Sequence, residues 1–163
     1  MLLATYSLWA RDIIRFYRQR SRVIGALGTP VVFWLLLGSG LGSSFRVNAD
    51  APVNYLQYFF PGTLALIVLF TAIFSTISVI EDRREGFLQG VLVAPVPRAT
   101  IVVGKLLSGT TLAVLQAMLF LLLAPATGID LRADLILPLV VALLTLAFAL
   151  TGLGFLVAWQ LDS

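Results

Sequence analysis

Four long apolar runs constrain the fold of this chain more than any other feature of its sequence. A helix needs roughly 20 apolar residues to cross the hydrocarbon core of a bilayer. Charged residues make up only 12% of the chain, against about 25% in a soluble domain. The pattern predicts an all-α, polytopic transmembrane bundle, a single domain over residues 1–163, with spans at about 23–41, 61–80, 101–124 and 135–159.

The chemistry that the sequence lacks excludes several classes of function. The chain has no Cys and no His, which excludes disulfides, zinc sites and imidazole catalysis. Gly104-Lys105 is followed by Leu106, and position 99 is Ala99, so the chain contains no phosphate-binding loop. We therefore expect no enzyme activity, no catalytic residue, no metal site and no cofactor in this chain, and any active transport would take its energy from another polypeptide.

The basic residues are distributed unevenly among the segments that flank the spans. Arg46 and Arg132 lie on one side of the predicted membrane, and the other nine of the 11 basic residues lie on the opposite side. Cytoplasmic loops carry the excess of Lys and Arg, so both termini and the central loop are predicted to be cytoplasmic. Because these charges flank spans, the net charge of +3 indicates membrane lipid and not nucleic acid as a partner.

Residues 1–22 are predicted to form an amphipathic helix. Four arginines recur at helical spacing on one face, and aromatic residues that include Trp9 lie on the opposite face. The separation of the two faces favours a helix lying in the membrane interface over a helical flank that only sets orientation. The residues expected to contact the interface are Trp9, Arg11, Arg15, Arg18 and Arg22.

Hydroxyl groups form a stripe on the second span, where Thr71, Ser75 and Ser78 share one helix face. Such a stripe is typical of helix packing in lipid, which we favour, but it also fits a substrate path. On the fourth span, Ala142, Thr145, Ala149 and Gly152 are predicted to form a packing seam. No ionisable residue lies at the centre of a span, and Lys105 is expected to extend along its helix to reach water.

The loop over residues 81–100 joins the second and third spans. It begins with a charge cluster, Glu81 to Glu85, and ends before Pro95. Between them, Phe87, Leu88, Val91 and Leu92 recur at helical spacing. The spacing alone fits either a short amphipathic helix or a loop whose apolar residues dip into the interface.

The segment from Glu85 through Pro97-Arg98 to Gly104-Lys105, with Phe60-Pro61-Gly62 before it, resembles the central part of the ABC type-2 permeases. These proteins are the membrane subunits of drug-resistance and polysaccharide exporters. The resemblance implies a short cytoplasmic coupling helix that docks on a separate ABC ATPase. The residues expected to couple to that ATPase are Glu81, Glu85, Gly86, Phe87, Leu88, Gln89 and Leu92.

The resemblance also implies a second permease copy, ATP and Mg²⁺ bound in the partner ATPase, and a bacterial or archaeal plasma membrane. Gln89 departs from the family, which often has Glu at that position, and this weakens any salt bridge there. Hydrophobic drugs, lipid-linked molecules and polysaccharides all remain possible cargoes.

Members of the resembled family carry two further spans. The chain is therefore expected to be truncated after the fourth span and not to transport by itself. The alternative is a non-transporting tetraspan protein that scaffolds a membrane complex, or a fragment retained for its assembly.

The predicted topology can be tested with single cysteines, because the chain contains none of its own. We expect a membrane-impermeant thiol reagent on intact cells to label Ser44→Cys and Asp130→Cys, but not Arg84→Cys or Ser163→Cys. The physical reason is the excess of basic residues on the central loop and the N-terminal segment. Labelling at position 84 in intact cells would contradict the orientation.

Overall fold

The computed structural model describes residues 2–41, 54–93, 97–129 and 132–160. Four helices in these ranges are long and apolar enough to cross a membrane, which confirms the all-α polytopic bundle. The elements in chain order are α1 (Leu2–Arg18), α2 (Arg20–Leu41), α3 (Tyr55–Arg84), α4 (Phe87–Val93), α5 (Arg98–Leu121), a 3₁₀ turn (Ala124–Thr127) and α6 (Ala133–Gln160).

The spanning helices begin before the apolar runs that predicted them, although α5 ends at Leu121 and not at residue 124. The largest difference is in α3, which begins at Tyr55 and not at residue 61. Tyr55 and Phe60 are buried, so packing extends the helix before Pro61. Gln57 also fixes this end, because its amide donates to the Thr127 carbonyl over 2.8 Å.

The predicted N-terminal helix is divided from the first span at Gln19, where α1 ends and α2 follows. α1 packs against α5 through a buried face that carries Leu8, Asp12 and Phe16. The Trp9 indole N–H donates to Thr111 Oγ1 over 3.2 Å. α1 is therefore docked on the bundle along one face, and its exposed side carries Leu2, Leu3, Tyr6, Ile14 and Tyr17.

The main apolar core lies where α2, α3, α5 and α6 meet, away from α4. Three aromatic rings form its centre: the Trp34 and Phe120 centroids are 5.2 Å apart, and those of Phe60 and Phe120 are 4.7 Å apart. The Trp34 N–H donates to the Leu56 carbonyl over 3.0 Å, so its polar atom is satisfied inside the bundle.

α6 packs against α3 and α5 through a stripe different from the predicted seam. Ala142, Thr145 and Ala149 are exposed, so these residues of the predicted seam do not pack against α3 or α5. The buried stripe is Leu143, Ala147, Thr151, Phe155 and Ala158. The facing helix α5 presents a glycine to this stripe.

That glycine is Gly109, where α5 comes nearest to both α3 and α6. A Cβ placed there would lie 2.5 Å from Thr151 Cγ2 and 2.6 Å from Ser75 Oγ. We expect Gly109→Ala to destabilise the chain by about 1–3 kcal/mol, the usual cost of overpacking. Thermal unfolding in detergent measures this change.

The matched control is Gly62→Ala, because a Cβ at Gly62 meets nothing within 4 Å. Replacing this exposed helical glycine with Ala should raise the free energy of unfolding by about 0.5–1 kcal/mol. Equal melting temperatures for the two variants would show that the α3–α5–α6 contact is not as close as the structure indicates.

Candidate functional site

Eight charged side chains meet where the end of α3 approaches α1, α2 and α5. Four are acidic and four are basic, so the group carries no net charge. We call this group the charge cluster; its members are Arg11, Asp12, Arg15, Arg22, Glu81, Asp82, Glu85 and Lys105.

Asp82 lies at the centre of the charge cluster and is fully buried. Arg11 donates to both of its carboxylate oxygens, over 2.9 and 3.2 Å, and Arg15 and Lys105 donate as well. Hydrogen bonds between ionised groups are the strong ones, and this carboxylate has three cationic partners. It therefore joins α3 to both α1 and α5.

Lys105 does not extend to water as the sequence analysis expected. Its side chain is only 3% exposed, and Nζ lies 2.7 Å from Asp12 Oδ2 as well as contacting Asp82. Ser108 donates to the same oxygen of Asp12 over 3.2 Å. Two carboxylates from other helices compensate the charge of the ammonium, so Lys105 can be buried without leaving an unpaired charge.

The outer part of the charge cluster connects α1 and α2 to the charged end of α3. Arg15 lies 3.0 Å from Glu85 and 3.3 Å from Glu81, and Arg22 of α2 pairs with Glu81. The hydrogen bonds to Asp82 hold the pKa of Arg11 above its usual value, so its guanidinium stays charged. Three of the four predicted interfacial arginines thus contact carboxylates of the same chain, while Arg18 is exposed.

Arg83 extends the connections to the remaining spanning helix. Its guanidinium donates to the Ala158 carbonyl over 3.3 Å and to that of Trp159 over 3.4 Å, and it lies 4.4 Å from the Trp159 ring centroid. A cation at the C-terminal carbonyls of a helix is favourable. Residues 81–85, which we call the α3 end, therefore contact α1, α2, α5 and α6.

α4 follows the α3 end after a sharp turn at Gly86, whose φ of 76° favours glycine. Phe87, the first residue of α4, packs with Leu8 and Ile101. The guanidinium of Arg11 lies 3.5 Å above the Phe87 ring centroid, a cation–π contact. The side chains of three predicted coupling residues lie outside what the structure describes: Leu88, Gln89 and Leu92.

The hydroxyl stripe on α3 divides into two parts. Thr71 is fully buried, with its Oγ1 2.8 Å from the Ile67 carbonyl oxygen and 2.5 Å from Gln116 Oε1, so this residue contributes to helix packing. Ser75 and Ser78 instead line a small cavity beside Asp12, Arg15 and Arg22. That cavity is the part of the stripe that still fits a polar path.

The sequence analysis missed the residues that hold this site together. Asp12 is the only acidic residue in an otherwise basic α1, and Asp82 continues the Thr71, Ser75 and Ser78 face of α3. Both signals were present in the sequence. Neither indicates that Lys105 is the partner of these two carboxylates, because Lys105 lies far from both along the chain. Gln116 was also missed, although a buried amide within a span is uncommon.

Comparison with known proteins supplies the family. The sequence model described as "ABC-2 type transporter" matches residues 4–161. A protein named as a transport permease (ycf38) from Cyanophora paradoxa is 29% identical over 128 residues, which cover 77% of this chain and 44% of that protein. Nodulation protein J of Rhizobium leguminosarum bv. viciae is 27% identical over 124 residues, which cover 69% of this chain and 47% of that protein. The chain spans about half the length of these relatives, and no solved structure matches it.

The charge cluster predicts a large effect of neutralising its central carboxylate. We expect Asp82→Asn to destabilise the chain by about 3–5 kcal/mol, because it leaves buried cations without compensation. We expect the double variant Asp82→Asn with Lys105→Met to lose less stability than the sum of the single variants, since it removes both members of one buried ion pair. Thermal unfolding in detergent measures all three.

Asp134→Asn is the matched control, since Asp134 pairs with Arg132 at 3.0 Å but both are largely exposed. Exposed pairs contribute about 0–1 kcal/mol. If Asp82→Asn and Asp134→Asn have the same unfolding temperature, the charge cluster does not stabilise the bundle.

Proposed function

Because this chain belongs to the ABC-2 type transporter family, we propose that it acts as the membrane permease subunit of an ATP-driven exporter. The observation that carries the proposal is the position of the α3 end. Residues 81–85 contact every other long helix of the described chain and lead directly into α4. A force applied to α4 would thus reach all of these helices.

α4 is the proposed coupling helix, docking on an ABC ATPase that binds ATP and Mg²⁺. Two contacts support transmission from α4 into the bundle. The Gly86 turn joins α4 to the α3 end, and Phe87 packs on α1 and α5 through Leu8 and Ile101. Displacement of α4 would then act on the bundle through both contacts.

The contacts of Phe87 change the role proposed for it. The sequence analysis expected Phe87 to couple to the ATPase, together with Leu88. Phe87 is half-buried against its own bundle, which suits a residue that positions α4. Val93, 88% exposed at the far end of α4, is better placed to meet a partner. Leu88, Gln89 and Leu92 remain proposed contacts of the ATPase.

The substrate path is proposed to pass the cavity that Ser75 and Ser78 line, at the inner part of α3. A second permease copy would complete the path on the exposed apolar faces of the helices. The proposed setting is the plasma membrane of a bacterium or archaeon, with both termini in the cytoplasm. Hydrophobic drugs, as in multidrug resistance, and lipid-linked molecules are the proposed cargo classes, because the spans offer apolar surface with scattered hydroxyls.

Photo-cross-linking tests the contact with the ATPase. A photoreactive phenylalanine analogue at Val93 should cross-link, in the source cells, to a protein that mass spectrometry identifies by its phosphate-binding loop. The reason is the exposure of Val93 on α4. The same analogue at Ser39, exposed near the opposite end of α2, is the control and should not capture that protein.

Two results would count against the proposal. The first is that no nucleotide-binding protein is captured at Val93 although the chain is inserted in the membrane. The second is equal capture of one ATPase at Val93 and Ser39, which would show contact without a defined docking site. Either result would favour the scaffold function over the transport function.

A further inference from the structure

We propose that a groove between the first half of α1 and the membrane-facing side of α5 binds one acyl chain of a membrane lipid. This site goes beyond the proposed transport function and does not depend on it. The groove has a volume of about 340 Å³, within the range of small-molecule sites. Its lining residues are Leu2, Thr5, Tyr6, Trp9 and Leu107.

The lining is built to present apolar surface. The Tyr6 and Trp9 rings lie with centroids 5.6 Å apart and planes inclined by 33°, so together they form a broad aromatic wall. The Trp9 N–H is directed to Thr111 Oγ1 at 3.2 Å, which leaves the carbon face of the indole for the groove. A polar ligand would find few partners here, whereas a hydrocarbon chain would contact the lining throughout.

The groove opens onto a surface that faces lipid. Leu107 belongs to a stripe of α5 whose members are all 43–51% exposed: Val103, Leu107, Leu115 and Leu119. α5 is a spanning helix, so this stripe is in contact with the hydrocarbon of the bilayer. The molecules nearest to the groove are therefore the acyl chains of the lipid leaflet that surrounds it.

The size of the groove favours a hydrocarbon chain over a helix from a second copy. A helix is about 10 Å across, so a volume of 340 Å³ holds only about 4 Å of its length, less than one turn. A single methylene chain is much thinner and can enter lengthwise. Since lipid tails are as apolar as leucine, retention would come from packing against the rings and from filling a void that bulk lipid packs poorly.

An occupied groove would brace α1 against α5 on the side that the charge cluster does not reach. The lining residues of α1 precede Arg11 and Asp12, which begin the contacts of α1 with Asp82 and Lys105. α1 would then be held by ion pairs in its second half and by lipid in its first half.

Photolabelling from within the bilayer tests this site. The chain is reconstituted with phosphatidylcholine that carries a diazirine in one acyl chain, washed with detergent to remove exchangeable lipid, and then irradiated. We expect the label to map to residues 2–9 and 103–107, and native mass spectrometry to show about one retained lipid per chain. Leu107→Phe, which fills the mouth of the groove, should lose both signals.

Leu115→Phe is the matched control, because Leu115 lies on the same stripe with nearly the same exposure, 43% against 44%. It should keep both signals. Tyr6→Ala provides a second variant at a 64% exposed position; it should release the retained lipid several-fold faster even if Leu107→Phe fails to fold.

Labels spread evenly over Leu107, Leu115 and Leu119, or equal loss in both Phe variants, would show ordinary contact with bulk lipid and overturn the proposal. Chain-to-chain cross-links at Tyr6 without lipid labelling would place a second copy in the groove and overturn it as well.

Discussion

The buried carboxylate of Asp82 is the constraint on which the inner half of this structure depends. An isolated carboxylate cannot remain charged away from water, so Asp82 requires cations from other helices. Lys105 supplies one from α5, while Arg11 and Arg15 supply two from α1. Because these partners lie on separate elements, compensating one charge also determines how three helices meet. The pairs need not contribute much net stability compared with apolar packing, but an alternative arrangement of the helices would leave a buried charge unpaired.

The two ends of the bundle are held by different interactions. Away from α4, the Trp34, Phe60 and Phe120 rings and the close approach at Gly109 give dense packing. In lipid such packing replaces the hydrophobic effect as the source of helix association. At the α4 end, charge-assisted hydrogen bonds dominate, and these are directional. Arg15 of the charge cluster contacts three carboxylates at once, so the charged end contains alternative ion pairs that the described residues of the aromatic end lack.

The sequence was sufficient for the number of spans and the all-α class, because these depend on local hydrophobicity and spacing. For the segment after α3, spacing left a helix and a loop open, and only the family resemblance implied a helix. It was insufficient for the site. The arginine stripe of residues 1–22 indicated a lipid surface, but it did not indicate that Arg11, Arg15 and Arg22 contact carboxylates more than fifty residues away along the chain. The buried face of α6 was also missed, because it depends on which helix surfaces approach each other, as at Gly109 of α5. Both failures concern which surfaces meet, and a single sequence contains no direct record of pairings between distant residues.

Arg11 connects the proposed coupling helix to the centre of the charge cluster. Its guanidinium lies over the Phe87 ring and at the same time donates to both oxygens of Asp82. A displacement of α4 that carries Phe87 away would remove the aromatic face from one side of Arg11 and expose that side to water. Since a guanidinium binds a carboxylate more strongly in a dry environment, hydration there would weaken its bonds to Asp82 and shift the carboxylate towards Lys105 and Arg15. The position of α4 and the choice of partner by Asp82 would then be linked through one side chain of α1, which would make α1 part of the proposed coupling path as well as a helix docked on the bundle.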